Sequence, residues 1–186
     1  VSWYEPTPAT SLGWIERAGL PSDAAILDAG GGTSALAGAL VRGGYRDITV
    51  ADISAAAIER ARAELGETAE QITWIVADLR SHALDRRYDL LHDRAVFHFM
   101  VEQKDRDGYL DVMRAAIKPA GHLILATFGP AGPTECSGLP ICRYGAEELA
   151  DLLGDGFRLL DSQLVEHRTP SGSTQQFLFA HLRRNK

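Results

Sequence analysis

Ile26-Leu27-Asp28-Ala29-Gly30-Gly31-Gly32-Thr33-Ser34-Ala35-Leu36-Ala37-Gly38 is the stretch whose reading decides the fold. An apolar pair runs into an aspartate, then three consecutive glycines, then a helix of small residues. Gly30 to Ala35 fits the pattern G-x-G-x-x-[GA], a strand-to-helix turn at which nucleotides are held. Glycine suits such a turn because no Cβ stands between the backbone and a ligand. By pattern alone the turn accepts more than one nucleotide, so the discrimination lies in the residues around it.

Working outward, short β-branched runs alternate with helical patterns, which is the signature of a doubly wound α/β sheet. Strands are expected near Ala24–Ala29, Asp47–Ala51, Ile72–Ala77, Tyr88–His92 and His122–Phe128. Ser54–Leu65 carries Ile58, Ala61 and Leu65 on one helical face, and Arg106–Ile117 carries Leu110, Met113 and Ile117 likewise. Lys118-Pro119-Ala120-Gly121 should stop the second of these helices before the next strand. After Phe128 the rhythm changes to a Gly/Pro-rich loop, Gly129 to Arg143, then a short helix at Ala146–Leu153. Phe157–His167 and Thr174–Arg183 close the chain. The loop between them is too short for a parallel crossover, so they must pair antiparallel. The expectation is a five-stranded parallel core with an antiparallel C-terminal hairpin.

The 186 residues, 45% of them apolar, suit a single domain over 1–186 with a substantial core. A net charge of −6 argues against a general nucleic-acid binder, which would carry a basic surface. Two cysteines, Cys136 and Cys142, are too few for a disulfide scaffold. Nothing reads as a secretory segment, and no apolar run approaches the roughly 18 residues of a membrane span. A cytoplasmic protein without a membrane partner is the expectation. Cys-x5-Cys with no His cluster beside it offers no metal site.

Asp28 is the first discriminator. A carboxylate two residues before the glycines would repel a pyrophosphate, yet it suits a ligand bearing ammonium and sulfonium charges. Asp52 ends the second strand about 20 residues on, where an acid accepts two ribose hydroxyls in either kind of site. Asp78 ends the third strand, on the same carboxyl edge of the sheet, where an adenine amino group would be read. A nicotinamide-dependent oxidoreductase does not need this third acid. It would instead need a Ser/Tyr/Lys set at catalytic spacing, which is not found.

Together, Asp28-Ala29-Gly30-Gly31-Gly32-Thr33, Asp52, Asp78 and the terminal hairpin resemble the class I adenosyl-methionine-dependent methyltransferases over nearly the whole chain. The family's commonest loop reads D-x-G-x-G-x-G, and here Ser34 takes the place of its last glycine. The resemblance implies a doubly wound, mostly parallel seven-stranded Rossmann-like sheet with an antiparallel C-terminal hairpin. It implies S-adenosyl-methionine as cofactor, leaving as S-adenosyl-homocysteine. The cofactor would be held by Asp28, Gly30, Gly31, Gly32, Asp52 with Ile53, and Asp78 with Leu79. Trp3 and Tyr4, in an N-terminal lid and helix over 1–20, would fold over it.

Methyl transfer from a sulfonium is an in-line displacement that needs positioning, desolvation and sometimes a base. The methyl group should face the segment after the fourth strand, His92-Asp93-Arg94-Ala95-Val96-Phe97-His98-Phe99. This segment resembles that of thiopurine-type, tellurite-type and some lysine methyltransferases. Asp93 is the candidate base or orienting group, with Arg94 beside it and His98 a second base. An ion pair for Asp93 and plain packing for His98 and His92 are the competing readings. The loop at 129–145, with Cys136, Cys142, Arg143 and Tyr144, lies where substrate-recognition insertions occur. His167 and Arg168 read as surface residues. A small-molecule acceptor is slightly favoured. The Trp3-Tyr4-Glu5-Pro6 opening, which resembles that of lysine methyltransferases, pulls toward a protein lysine. A non-catalytic cofactor-binding domain is the third reading.

Overall fold

The computed structural model describes residues 7–169 and 172–186. Helix α1 (Ala9–Arg17) precedes β1 (Ala25–Ala29), α2 (Leu36–Arg42), β2 (Asp47–Asp52), α3 (Ala55–Leu65), β3 (Ile72–Val76) and β4 (Tyr88–Arg94). Then come α4 (Gln103–Ala116), β5 (Ile117–Phe128), the two short strands β6 (Glu135–Cys136) and β7 (Leu139–Pro140), α5 (Ala146–Leu153), β8 (Phe157–Arg168) and β9 (Thr174–Arg184).

Seven strands form one sheet in the order β3-β2-β1-β4-β5-β9-β8. The first five run parallel. Strand β9 inserts antiparallel between β5 and β8. Every residue of β1 is buried, as befits a strand covered on both faces. One face of the sheet packs Leu27, Leu91, Leu125 and Leu182 against α4 and α5 through Tyr109, Met113 and Leu149. The other packs Ile26, Leu90 and Ile124 against α1 and α2 through Trp14, Ile15 and Leu40. Trp14 lies parallel to Phe179 at 6.3 Å between centroids, which fixes α1 on the sheet.

The seven-stranded expectation holds, with three local differences. Helix α4 stops at Ala116, but β5 already begins at Ile117, paired with Tyr88, so Lys118–Gly121 is a bulge within the strand rather than a linker before it. Ala120 takes a positive φ of 61° there, and Lys118 Nζ donates to Asp89 Oδ2 at 2.8 Å. The Gly/Pro-rich loop after β5 contains the β6–β7 hairpin, its turn made by Ser137 and Gly138, both at positive φ. His167 is buried edge-on against Phe177 at 5.8 Å, not on the surface, because alternation along β8 turns it inward.

Candidate active site

The carboxyl ends of β1 to β4 open onto a cavity of about 680 Å³. This lies within the ~300–1,000 Å³ in which small ligands are held. Gly30, Asp52 with Ile53, and Asp78 with Leu79 form one wall; Arg94, Val96 and Phe99 belong to the other, and Leu139 and Pro140 of the hairpin reach the rim.

Each of the three glycines answers to a different neighbour. Gly30 has φ +70°, and a Cβ there would lie 2.0 Å from Val96 Cγ2, so the segment after β4 packs straight onto the turn. A Cβ on Gly31 would lie 2.1 Å from Asp28 Oδ2. One on Gly32 would meet Asp52 Oδ2 at 2.7 Å and Ala57 at 2.8 Å. The turn therefore lets two acids close in beneath the backbone, in addition to any ligand above it.

Asp52 is set by two amides. Its Oδ2 accepts from Gly32 N–H at 3.0 Å and its Oδ1 from Ser54 N–H at 2.8 Å. Ser54 in turn caps α3 by accepting from Ala57 N–H at 3.2 Å. The remaining lone pairs of Asp52 are available to hydroxyls in the cavity.

Asp78 is gripped by Arg80, whose Nε and Nη2 donate to its two oxygens at 2.9 and 2.7 Å. Arg80 holds this carboxyl below the usual carboxylate range. Arg80 also reaches Asp105 at 3.2 Å, tying the end of β3 to α4.

Asp28 lies below the turn and is buried. His92 Nδ1 stands 2.9 Å from its Oδ1, while its Oδ2 has no hydrogen-bond partner among the described residues. Trp3 and Tyr4 fall outside the described residues.

On the acceptor side, the structure gathers only part of the expected set. Arg94 lines the cavity, with its guanidinium 5.3 Å from the Phe177 ring. Asp93 does not face it: it is fully buried and accepts from the Val96 and Phe97 amides at 3.0 and 3.1 Å and from Tyr109 Oη at 2.7 Å. Burial pushes its carboxyl up to about 6, against the pull of those donors. Asp93 thus shapes the turn that presents Arg94, Ala95 and Val96, and the reading of it as a base meeting the acceptor gives way to this placement. His98 is likewise buried, stacked on Phe128 at 4.8 Å and edge-on to Phe99 at 4.5 Å. Burial lowers its pKa to about 4, so the ring is neutral near pH 7, away from the cavity wall.

Sequence reading missed Tyr109; Val96 and the hairpin pair Leu139–Pro140 lie within the two segments expected on the acceptor side, though neither was singled out there. Tyr109 sits on the inward face of α4, where only the apolar stripe was legible. A single valine or Leu-Pro in a loop carries no signal until the fold brings it to the site.

Cys136 is buried, and Cys142 lies 4.0 Å from Arg106 Nη1 beside a separate cavity of about 580 Å³. Among the described residues, no group of three His, Cys, Asp or Glu side chains is placed to hold a metal ion. No helix among them is long and apolar enough to cross a membrane.

The glycine turn, the acids in β1, at the end of β2 and just after β3, and the inserted antiparallel strand define the class I adenosyl-methionine-dependent methyltransferase domain. The methyltransferase-domain family model matches residues 26–121, just over half of the chain, and the chain belongs to that family. It is 26% identical over 166 residues to EEF1A lysine methyltransferase 2 of Danio rerio, covering 85% of this chain and 65% of that protein's length. This chain thus spans just under two thirds of that relative. Among solved structures it resembles the 1,6-didemethyltoxoflavin-N1-methyltransferase of Burkholderia thailandensis (TM-score 0.75, 22% identity, 96% of this chain and 78% of that one). It also resembles the N-methyltransferase NodS of Bradyrhizobium japonicum (TM-score 0.70, 19% identity, 96% of each chain).

Proposed function

We propose that this chain moves a methyl group from S-adenosyl-methionine to a nucleophile that enters between Arg94, Phe99 and the β6–β7 hairpin, with a small molecule as acceptor. The carrying observation is the placement of acids around one cavity. Asp52 and Asp78 line it and Asp28 underlies it, with Gly30 at the turn. Three carboxylates disfavour a pyrophosphate and favour a ligand with cationic centres. The Oδ2 of Asp28, without a partner among the described residues, and the two-amide setting of Asp52 fit such a ligand.

When bound, the cofactor supplies an electrophilic methyl on a sulfonium. The chain's own residues orient and dehydrate. Asp52 receives ribose hydroxyls, Ile53 and Leu79 flank the base, and Asp78, steadied by Arg80, receives the adenine amino group. Asp93 and Tyr109 fix the turn after β4, so that Val96 stays wedged on Gly30 and Arg94 stays at the wall. Phe99, Val101 and Leu139 give the acceptor side an apolar lining that excludes water.

A small acceptor is favoured by the hairpin that narrows the rim of the cavity and by the likeness to the Burkholderia thailandensis enzyme, whose name gives a small-molecule acceptor. The second reading, transfer to a protein lysine, is favoured by the similarity to the Danio rerio enzyme. Labelled adenosyl-methionine incubated with the chain and cell extract, then split into protein and small-molecule fractions, separates them. Label in the small fraction is the expected result. Label only in protein supports the lysine reading, and label in neither goes against transfer altogether.

A further inference from the structure

Asp28 and His92 are register partners on adjacent strands β1 and β4, and both project to the face covered by α1. There they form a buried chain with the helix: Asp28 Oδ1 to His92 Nδ1 at 2.9 Å, and His92 Nε2 to Ser11 Oγ at 3.0 Å. Ser11, His92 and Asp28 are 1%, 2% and 2% exposed. An ionised carboxylate only accepts, so Nδ1 must carry the proton facing Asp28. Nε2 then accepts from the Ser11 hydroxyl, which leaves both ring nitrogens satisfied. This chain of bonds ends in an oxygen with no partner among the described residues, Asp28 Oδ2, placed where a Gly31 Cβ would lie 2.1 Å away.

The methyl donor carries one positive charge more than its product, which loses the sulfonium. A fixed negative charge under the glycine turn, in a region of low dielectric, is the kind of group that tells the two apart. We propose that His92, anchored by Ser11, is a positioning residue that holds the Asp28 carboxylate aimed at the turn, and thereby raises the affinity of the site for the cationic donor relative to that for its product. The other charged or titratable groups near the pair are Asp93, next on β4 but turned to the opposite face, and its partner Tyr109 on α4. Neither contacts His92 through a hydrogen bond. The inference rests on the adenosyl-methionine reading above.

The test measures equilibrium binding by calorimetry, with no acceptor present, of adenosyl-methionine and of adenosyl-homocysteine to the wild-type chain, His92→Phe, His92→Asn and Asp28→Asn. In His92→Phe the ratio of donor to product affinity should fall by roughly tenfold, the scale of one charge-assisted contact. Asp28→Asn should lower the ratio by a similar factor. His92→Asn, whose side-chain amide stands where Nδ1 does and can still donate to Asp28, should keep most of the wild-type ratio, and it serves as the folded control if the phenylalanine variant does not accumulate. Equal weakening of both ligands in His92→Phe, or an unchanged ratio in Asp28→Asn, overturns the inference while leaving the methyltransferase reading intact. Binding of neither ligand to the wild type overturns that reading instead.

Discussion

At the scale of single residues, the three glycines between Ala29 and Thr33 were legible as a ligand turn, but their individual reasons were not. Gly30 yields to Val96, Gly31 to Asp28 and Gly32 to Asp52, and only a folded chain brings those neighbours together. The acids were legible because strand ends can be read from periodicity and a carboxylate at such an end is conspicuous. The partners of Asp93 were hidden, since its hydrogen bonds come from amides three and four residues on and from a tyrosine on another element. Two predictions belong here. Asp52→Ala should weaken adenosyl-homocysteine binding by about 1–3 kcal/mol, measured by calorimetry, because charge-assisted bonds to ribose and the amide of Gly32 are lost together. Asp93→Ala should lower unfolding free energy by about 2–4 kcal/mol in denaturant melts, because it strands buried N–H and O–H groups. A stability equal to wild type would mean that Asp93 does not hold the turn.

At the scale of elements, β1 to β5 and the terminal hairpin followed from alternation, apolar runs and the short loop at 169–173. The β6–β7 hairpin did not, because two-residue strands leave no periodicity and Ser137-Gly138 is a turn signal only once the strands are known. The bulge at Lys118–Gly121 escaped for a related reason. Pro and Gly announce an interruption, but not that Ile117 is already paired with Tyr88. The hairpin carries a prediction of its own. Leu139 is exposed at the cavity rim, so Leu139→Ser should leave folding and adenosyl-homocysteine affinity close to wild type while raising the acceptor KM several-fold. An equal loss of cofactor affinity would place the hairpin over the cofactor instead of the acceptor.

At the scale of the whole molecule, buried histidines tie stability to pH. Burial lowers His98 and His122 to about 4 and lowers His181 as well, and the last two share a hydrogen bond of 2.8 Å between β5 and β9. Unfolded histidine takes up a proton near pH 6.5, so below about 6.5 the unfolded chain binds more protons at these sites, down to about 4 at His98 and His122. Their contribution is present above pH 6.5 and is lost as pH falls toward 4. Asp93, raised to about 6, acts in the opposite sense, but as one carboxyl against three imidazoles. The melting temperature should therefore drop between pH 7 and pH 5; a constant or rising value would contradict these placements. The central claim concerns what the glycine turn holds, and direct titration of the purified chain with adenosyl-homocysteine and with NADH tests it. Saturable one-to-one binding of adenosyl-homocysteine with no binding of NADH is the predicted result. Tight binding of NADH with none of adenosyl-homocysteine would contradict the account.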